Sequence, residues 1–322
     1  MRILVTGGMG VIGSWVSRQL FEQGHRVVIY ERRIDTSLIP DIVDKVDVVV
    51  GDISDLATII RTLKEYEVER IIHMVALMPG QCQANPFMGF QTNACGTLNV
   101  LEAARITGVE RVVFTSAKAV YAPFIGEYGY PTYKPVTEEY DKNPVDSFLV
   151  YGTAKIASEF MGLNYAKNYG LDFTALRFAG TYGPGKQARH GALSVYSKLI
   201  ENAMIGLPTT ISHGGDEKSD MIYVKDVASA IILVCFKEKL KHHIFNIGTG
   251  RGVTLRDLGA VIKEIYPDAI CEIGPGLDYM DIGPVYGVFD CSRARNELNY
   301  APKFTLETGV KDYIETALTY PK

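Results

Sequence analysis

The stretch Thr6-Gly7-Gly8-Met9-Gly10-Val11-Ile12-Gly13 decides the fold. It follows a short apolar run that predicts a buried strand, and it opens a periodic apolar segment that predicts a helix. The glycine at position 7 allows a tight turn, the one at 10 lets the backbone approach a diphosphate, and the one at 13 lets helix and strand pack closely. The start of the helix adds N–H donors and partial positive charge for phosphate groups. The stretch therefore predicts a dinucleotide-binding turn.

Outward from this turn, short runs rich in Val, Ile or Leu alternate with helical stretches, which is typical of a parallel sheet covered on both faces. The predicted strands of this sheet are Arg2–Thr6, Arg26–Tyr30, Asp47–Val50, Arg70–Val75, Arg111–Thr115 and Asp172–Arg177. The spacing predicts right-handed βαβ units and hence an α/β fold with a doubly wound parallel sheet, the Rossmann arrangement.

The alternation becomes less regular after the sixth predicted strand, where Gly and Pro become frequent. We therefore expect a Rossmann domain over residues 1–180 and a smaller, mainly substrate-binding domain over residues 181–322. Part of 221–250 is expected to return to the Rossmann sheet, because it contains late strand-like runs separated by a helical stretch.

The end of the second predicted strand indicates which dinucleotide binds. Glu31 can accept hydrogen bonds from the adenosine ribose, and its charge repels a 2′-phosphate. Arg32 and Arg33 work against this preference, because arginine is the side chain that holds a 2′-phosphate. The sequence thus favours NAD, with NADP as the alternative. After the third strand, Asp52 is expected to accept from the adenine amino group while Ile53 covers the ring, unless Asp52 is an ordinary turn residue.

A tyrosine and a lysine four residues apart, Tyr151 and Lys155, lie at the start of a predicted helix and share one of its faces. A free tyrosine has a pKa of about 10 and is a poor base at neutral pH. A nearby ammonium favours the phenolate and lowers that pKa, and Lys155 can also hydrogen-bond the nicotinamide ribose. The pair predicts an acid/base catalyst, Tyr151, that is tuned by Lys155.

Together these motifs make the chain resemble the extended short-chain dehydrogenase/reductases of the NAD-dependent epimerase/dehydratase family. The resemblance spans nearly the whole length and also rests on Gly51-Asp52, Asn93 with Gly96-Thr97, Val120-Tyr121, Leu176-Arg177, Tyr182-Gly183-Pro184-Gly185, Tyr223-Val224-Lys225-Asp226-Val227 and Asn246-Ile247-Gly248. It implies that Tyr151 is the acid/base, that Lys155 tunes it, that Asn93 helps to order the site and that homodimers form through a helical bundle.

The predicted cofactor contacts come from the glycine turn, the strand ends, the residue implied by the resemblance and the catalytic pair. They are Gly7, Met9, Gly10, Val11, Ile12, Gly13, Glu31, Arg32, Asp52, Ile53, Val75, Ala76, Asn93, Thr115, Tyr151 and Lys155.

One departure from the family concerns the strand before the catalytic helix. Family members usually carry a catalytic Ser or Thr four residues before the Tyr of the Val-Tyr pair, and here that position holds Ala117. Ser116, one residue earlier, points to the opposite face of a regular strand and can replace the hydroxyl only where the strand end is irregular. We take Ser116 as the third catalytic candidate and both residues as substrate contacts. Dehydratases follow the hydroxyl with Asp-Glu, whereas this chain has Lys118 and Ala119, which argues against dehydration.

A second departure concerns the grip on a sugar nucleotide. Members that bind one usually place an Arg before the Asp of the late strand, where this chain has Ser219. A second Arg usually precedes the final Asp-x-Ser, but residues 274–289 contain neither Arg nor Lys. Both absences weaken the sugar-nucleotide interpretation. A loop nearby offers Lys186, Arg189 and His190, which are predicted to hold a substrate carboxylate or phosphate, the alternative being a solvated loop.

Composition restricts the partners and the compartment. The net charge is −4 over 322 residues, so nothing favours a nucleic acid or an anionic membrane surface. The five cysteines are widely spaced without a C-x-x-C motif, which argues against a disulfide framework and a metal site. No leader segment is evident, and no apolar run approaches the roughly 20 residues that span a bilayer. We expect a cytoplasmic protein whose partners are a small-molecule substrate and a second copy of the chain.

Three functions remain open. The main interpretation is an NAD-dependent oxidoreductase in which Tyr151 takes the proton of a secondary hydroxyl of a small polyol, hydroxy acid or sugar-like compound while hydride passes to the nicotinamide. The alternative is a sugar or nucleotide-sugar epimerase that oxidises its substrate transiently with tightly bound NAD. The second alternative, a non-enzymatic cofactor-sensing protein, is opposed by the intact pair of Tyr151 and Lys155.

Overall fold

The computed structural model describes residues 1–144 and 148–320. The strands in these residues are β1 (Arg2–Thr6), β2 (Arg26–Glu31), β3 (Asp47–Val50), β4 (Arg70–His73), β5 (Arg111–Ala117), β6 (Asp172–Phe178), β7 (Gly180–Tyr182), β8 (Thr209–Ile211), β9 (Ser219–Tyr223), β10 (Ile244–Ile247), β11 (Gly252–Val253) and β12 (Cys271–Ile273). The helices there are α1 (Val11–Glu22), α2 (Leu56–Glu65), α3 (Pro79–Ala84), α4 (Pro86–Phe90), α5 (Gly96–Thr107), α6 (Leu149–Tyr169), α7 (Lys186–His190), α8 (Val195–Met204), α9 (Val224–Phe236), α10 (Leu255–Ile265), α11 (Ser292–Leu298) and α12 (Leu306–Thr319).

A parallel sheet with the strand order β10-β6-β5-β4-β1-β2-β3 forms the main layer of the fold. The strand order reverses beside β1, because the chain runs out to β3 at one edge and then returns to pair β4 with the other side of β1. This confirms the predicted doubly wound sheet. Ligands of such sheets bind beyond the carboxyl ends of the strands at this point of reversal.

Helices cover both faces of the sheet, and the pleat of β1 explains why its three central residues, Ile3, Leu4 and Val5, are all apolar. Ile3 and Val5 point to one face, where they join a buried cluster with Val16 of α1 and Val227 of α9. Leu4 points to the other face, into a cluster formed with α2 and α5. A strand buried on both faces has a continuous apolar sequence rather than an alternating one. The six strands predicted up to Arg177 all lie in this sheet, and the seventh, β10, lies within residues 221–250, part of which was expected to return to it.

The second half of the chain builds two small sheets beside the main one, β11-β9-β7 and β12-β8. Helices α8, α10 and α12 pack around them in a separate hydrophobic cluster. Strand β10 does not belong to this group, since it pairs with β6 at the edge of the main sheet. The division into domains at residue 180 stays a prediction.

Two helices begin with distinct local structure. Asp55 caps α2 by accepting from the backbone N–H of Thr58 at 3.0 Å. Ser54 donates its N–H and its hydroxyl to Asp52. Helix α5 is preceded by a wider π-helical turn at Gln91–Cys95. Throughout the described ranges, no helix combines the length and the apolar character that crossing a membrane requires.

Candidate active site

The glycine turn between β1 and α1 has the geometry that a dinucleotide requires. Gly7 has a φ of +75°, which favours glycine, and its carbonyl accepts from the N–H of Gly10 at 3.0 Å. A Cβ at Gly13 would lie 2.0 Å from the Gly7 carbonyl oxygen, so only glycine lets α1 approach the turn this closely. No side chain caps the first turn of α1, which leaves its N–H groups available to a phosphate. The turn thus fits a dinucleotide diphosphate.

A cleft of about 440 Å³ lies over the carboxyl ends of the strands and is bounded by both halves of the chain. It brings together most of the predicted site. Its lining includes Gly7, Met9, Gly10, Val11, Ile12, Gly13, Glu31, Val75, Ala76, Thr115, Ser116, Ala117, Tyr151, Lys155, Lys186, Arg189 and His190.

Four predicted cofactor residues lie outside this lining. The carboxylate of Asp52 accepts from the N–H of Ser54 at 2.8 Å, so it serves the turn after β3. Ile53 is buried, and Arg32 is exposed while its neighbour Arg33 lines the cleft. Arg33 is exposed as well, so the two arginines differ only in that Arg33 lines the cleft and Arg32 does not.

Asn93 acts on the site indirectly, through the segment that follows β4. Its side chain accepts from the N–H of Leu77 at 2.7 Å and donates to the Leu77 carbonyl at 2.9 Å. This pair of bonds fixes the backbone next to Val75 and Ala76, which line the cleft. The role expected for Asn93 in ordering the site is compatible with this geometry.

Glu31 and Arg189 meet at the β2 side of the cleft. Glu31 accepts from the N–H of Met9 at 2.9 Å, and burial raises the pKa of its carboxyl. Arg189 donates to the Met9 carbonyl at 2.7 Å and forms an ion pair with Asp35 at 2.5 Å. Its guanidinium is therefore committed to the glycine turn and to Asp35. This corrects the prediction that Arg189 holds a substrate anion.

Tyr151 and Lys155 lie in the first two turns of α6, both buried at 9% and 2% exposure. The Lys155 ammonium lies 5.6 Å from the centre of the Tyr151 ring and donates to the Thr115 carbonyl at 2.6 Å. No hydrogen bond joins the Tyr151 hydroxyl to any described residue, so its oxygen is left for a ligand.

Burial acts on the pKa values of this pair in opposite senses. It lowers the pKa of Lys155 to about 7, although Glu159 raises it, and it raises the pKa of the Tyr151 phenol. The lowering of the Tyr151 pKa that we expected from Lys155 is therefore not found in the protein alone, where burial disfavours the phenolate.

Ser116 does not supply the hydroxyl that is missing at Ala117. Strand β5 continues regularly to Ala117, so successive side chains point to opposite faces. The Ser116 hydroxyl donates to Glu159 of α6 at 2.6 Å, and Glu159 forms a fully buried ion pair with Arg177. The structure thus corrects the prediction of Ser116 as a catalytic residue.

Some lining residues were not predicted from the sequence as part of the site. Lys118, which follows β5, lines the cleft together with Tyr196 and Tyr279, whose hydroxyls lie 2.5 Å apart. Lys118 stands at a strand end, a position that the sequence shows. The two tyrosines come from the second half of the chain, where no motif marks them.

Both the sequence and the fold of this chain match known proteins. The model of the NAD dependent epimerase/dehydratase family matches residues 3–248. The chain is 28% identical over 326 residues to UDP-glucose 4-epimerase of Corynebacterium glutamicum, covering 97% of this chain and 94% of that one. The structure of UDP-glucose 4-epimerase from Thermotoga maritima with UDP-glucose has a TM-score of 0.86 and 28% identity and covers 100% of both chains. The Thermus thermophilus UDP-glucose 4-epimerase complex with NAD has a TM-score of 0.83 and 28% identity, covering 98% of each.

Proposed function

The chain belongs to the NAD-dependent epimerase/dehydratase family, and from this premise we propose that it is a nucleotide-sugar 4-epimerase that oxidises its substrate transiently. It is an enzyme of the extended short-chain dehydrogenase/reductase type. The observation that carries the proposal is the free hydroxyl of Tyr151 beside Lys155, in a cleft whose surrounding fold matches UDP-glucose 4-epimerases along the full length. The comparisons favour this alternative over the main interpretation, a small polyol or hydroxy acid substrate, which they do not support.

NAD is the cofactor of this family, and the described cleft has residues that would bind it. The glycine turn and the N-terminus of α1 would hold its diphosphate, and Glu31 would accept from the adenosine ribose. Lys155 would bond the nicotinamide ribose. Bound NAD supplies a hydride acceptor for the sugar carbon and a positively charged ring.

Residues of the chain itself would transfer the proton of the sugar hydroxyl. Tyr151 takes the proton of the sugar hydroxyl and later returns it, because its oxygen is the one acid/base group of the predicted catalytic set that stands free in the cleft. Lys155, one helical turn further, stabilises the phenolate when its amine is protonated. Burial of both side chains keeps water away from the pair.

A turnover assay tests this function. The purified protein is incubated with UDP-glucose or UDP-galactose, and the sugar configuration is followed by NMR while NADH absorbance is recorded. We expect interconversion of the two sugars without net NADH, and no interconversion with Tyr151→Phe. Accumulation of NADH with polyols or hydroxy acids would restore the dehydrogenase interpretation, and absence of turnover with either panel would favour the non-enzymatic one.

A homodimer is part of the same proposal. Helices α4 and α6 pack together and expose apolar side chains, among them Phe87 at 74% and Phe160 at 60% exposure. Apolar residues clustered on neighbouring helices are typical of an interface. Light scattering should give the mass of a dimer for the wild type and of a monomer for Phe160→Glu, and a monomeric wild type would contradict the proposal.

A further inference from the structure

The cleft contains two half-buried lysines to which the acid/base mechanism gives no role. Lys118 directly follows β5, and Lys186 is the first residue of α7. Both side chains line the cleft that holds Tyr151. The positive charge of Lys118 acts on Lys186 strongly enough to lower its pKa, so the two ammonium groups lie within electrostatic reach of each other.

Neither lysine has an ion-pair partner within residues 1–144 and 148–320. The two carboxylates whose charge acts on Lys118 are those of Asp220 and Glu217. Asp220 accepts from the backbone N–H groups of Thr249 and Gly250, at 2.8 and 3.0 Å. Glu217 accepts from the hydroxyl of Tyr133 at 2.6 Å and from a backbone N–H. Both acids are therefore committed to other donors.

The ammonium groups of Lys118 and Lys186 retain N–H donors that can bind a ligand. Lys186 donates to the Thr181 carbonyl and uses one of its three protons there. The Lys118 ammonium lies 5.6 Å from the ring centre of Tyr286 and makes no hydrogen bond to the described part of the chain. Burial lowers the pKa of Lys118 to about 8 and that of Lys186 to about 7. Two like charges that lack counter-charges destabilise the empty cleft, and an anion between them removes that cost.

Lys118 lies near strand β9. The charge of Asp220, the second residue of β9, acts on the Lys118 ammonium, so the two groups lie within electrostatic reach of each other. Arg189 is held by Asp35 and the Met9 carbonyl, which leaves the two lysines as the cations of this part of the cleft that lack an ion-pair partner among the described residues.

We propose that Lys118 and Lys186 together bind an oxyanion of the substrate, either the diphosphate of a sugar nucleotide or a carboxylate on its sugar. The inference rests on the proposed function only in placing the substrate in this cleft. It makes the two lysines the determinants of substrate charge in this cleft. Neither lysine takes part in the proton transfer.

Calorimetric titration of the full chain with UDP, UDP-glucose and UDP-glucuronate separates the two sources of the anion. Lys118→Met and Lys186→Met are compared with Lys198→Met, which changes an exposed lysine of α8. If the diphosphate is held, the affinity for all three probes falls about tenfold or more in each cleft variant. If a sugar carboxylate is held, only the affinity for UDP-glucuronate falls. Lys198→Met should bind every probe as the wild type does.

Lys118→Arg and Lys186→Arg should retain most of the affinity, which shows that loss in the Met variants reflects charge rather than misfolding. Wild-type affinity in both Met variants for all three probes overturns the inference, and so does a wild type that binds none of them. The epimerisation assay is independent of these titrations. If the lysine variants lose anion affinity while no sugar is epimerised, the proposed function fails and the binding site stands.

Discussion

The hydroxyl of Ser116 donates a 2.6 Å hydrogen bond to Oε1 of Glu159, inside the protein and next to the buried ion pair of Glu159 and Arg177. The ion pair joins the catalytic helix α6 to strand β6, and the serine ties β5 to it. Ser116, five residues before Tyr121, therefore carries a structural hydroxyl, whereas Ala117, four residues before Tyr121, carries none. The neighbouring positions can be told apart only by the direction in which each side chain points.

The first prediction concerns Ser116→Ala. The substitution removes a hydrogen bond to a buried carboxylate and should lower the free energy of unfolding by about 1 to 3 kcal/mol. It should leave kcat within a few-fold of the wild type, because the hydroxyl serves Glu159 and not the substrate. Urea unfolding and steady-state kinetics on the same preparation measure both effects. A loss of turnover as large as that of Tyr151→Phe would show that the serine serves the substrate after all.

The main sheet could be predicted because local rules determine it. Strands β1 and β3 have the predicted bounds, since each is a short apolar run that is followed directly by a glycine, Gly7 or Gly51. The glycine turn was predictable for a similar reason: the close approach of Gly13 to Gly7 is encoded by residues that are neighbours in sequence. Tyr151 and Lys155 share a helical face by spacing alone.

The parts of the site that were missed depend on contacts distant in sequence. Arg189 was assigned to the substrate because its loop is basic, but its partner Asp35 lies 154 residues away, and no motif encodes that pair. The sequence already locates Lys118 at a strand end. Its lack of an ion-pair partner, however, depends on how Asp220 and Glu217 are hydrogen-bonded. Such information appears only once the chain is folded.

A second prediction concerns the glycine turn. A Cβ at Gly13 would meet backbone atoms of Gly7 and Gly8 at 2.0 to 2.8 Å, so Gly13→Ala must displace the turn. We expect this variant to lose NAD binding and to have a lower Tm. Gly80→Ala is the matched control: its Cβ would meet nothing within 4 Å, and alanine should stabilise the helix by about 0.5 to 1 kcal/mol. NAD affinity near the wild-type value in Gly13→Ala would contradict the assigned role of the turn.

A third prediction concerns Glu31 and the choice of dinucleotide. At mildly alkaline pH, where the carboxyl is ionised despite its raised pKa, NAD should bind at least about tenfold more tightly than NADP, because the charge repels a 2′-phosphate. The preference should weaken as the pH falls and the carboxyl takes up a proton. Glu31→Ala should also reduce the preference for NAD over NADP, since it removes the negative charge while Arg33 lines the cleft. Titrations with both dinucleotides test this, with Glu65→Ala on an exposed face of α2 as the control.

A fourth prediction concerns the pH dependence of anion binding. The pKa values of Lys186 and Lys118 are lowered to about 7 and about 8, so both amines lose their charge as the pH rises through this range. His190 contributes no charge there, because burial lowers its pKa to about 4. The affinity for UDP-glucuronate, which carries both a diphosphate and a carboxylate, should fall more than about tenfold between roughly pH 7 and 9. An affinity that does not change over this interval would contradict the assignment of the lysines.

The last prediction concerns the catalytic pair. Tyr151→Phe should lower kcat by a factor of about 100 to 10,000, because it removes the acid/base oxygen. It should leave the Tm and the NAD affinity nearly unchanged, since the ring packing is kept and the hydroxyl has no hydrogen bond to the described residues. Lys155→Met provides the contrast: it removes both the charge that stabilises the phenolate and the donor to the Thr115 carbonyl, so we expect kcat and NAD affinity to fall together. A Tyr151→Phe enzyme that keeps most of its activity on the true substrate would refute the proton-transfer mechanism and leave only the assignment of the dinucleotide site.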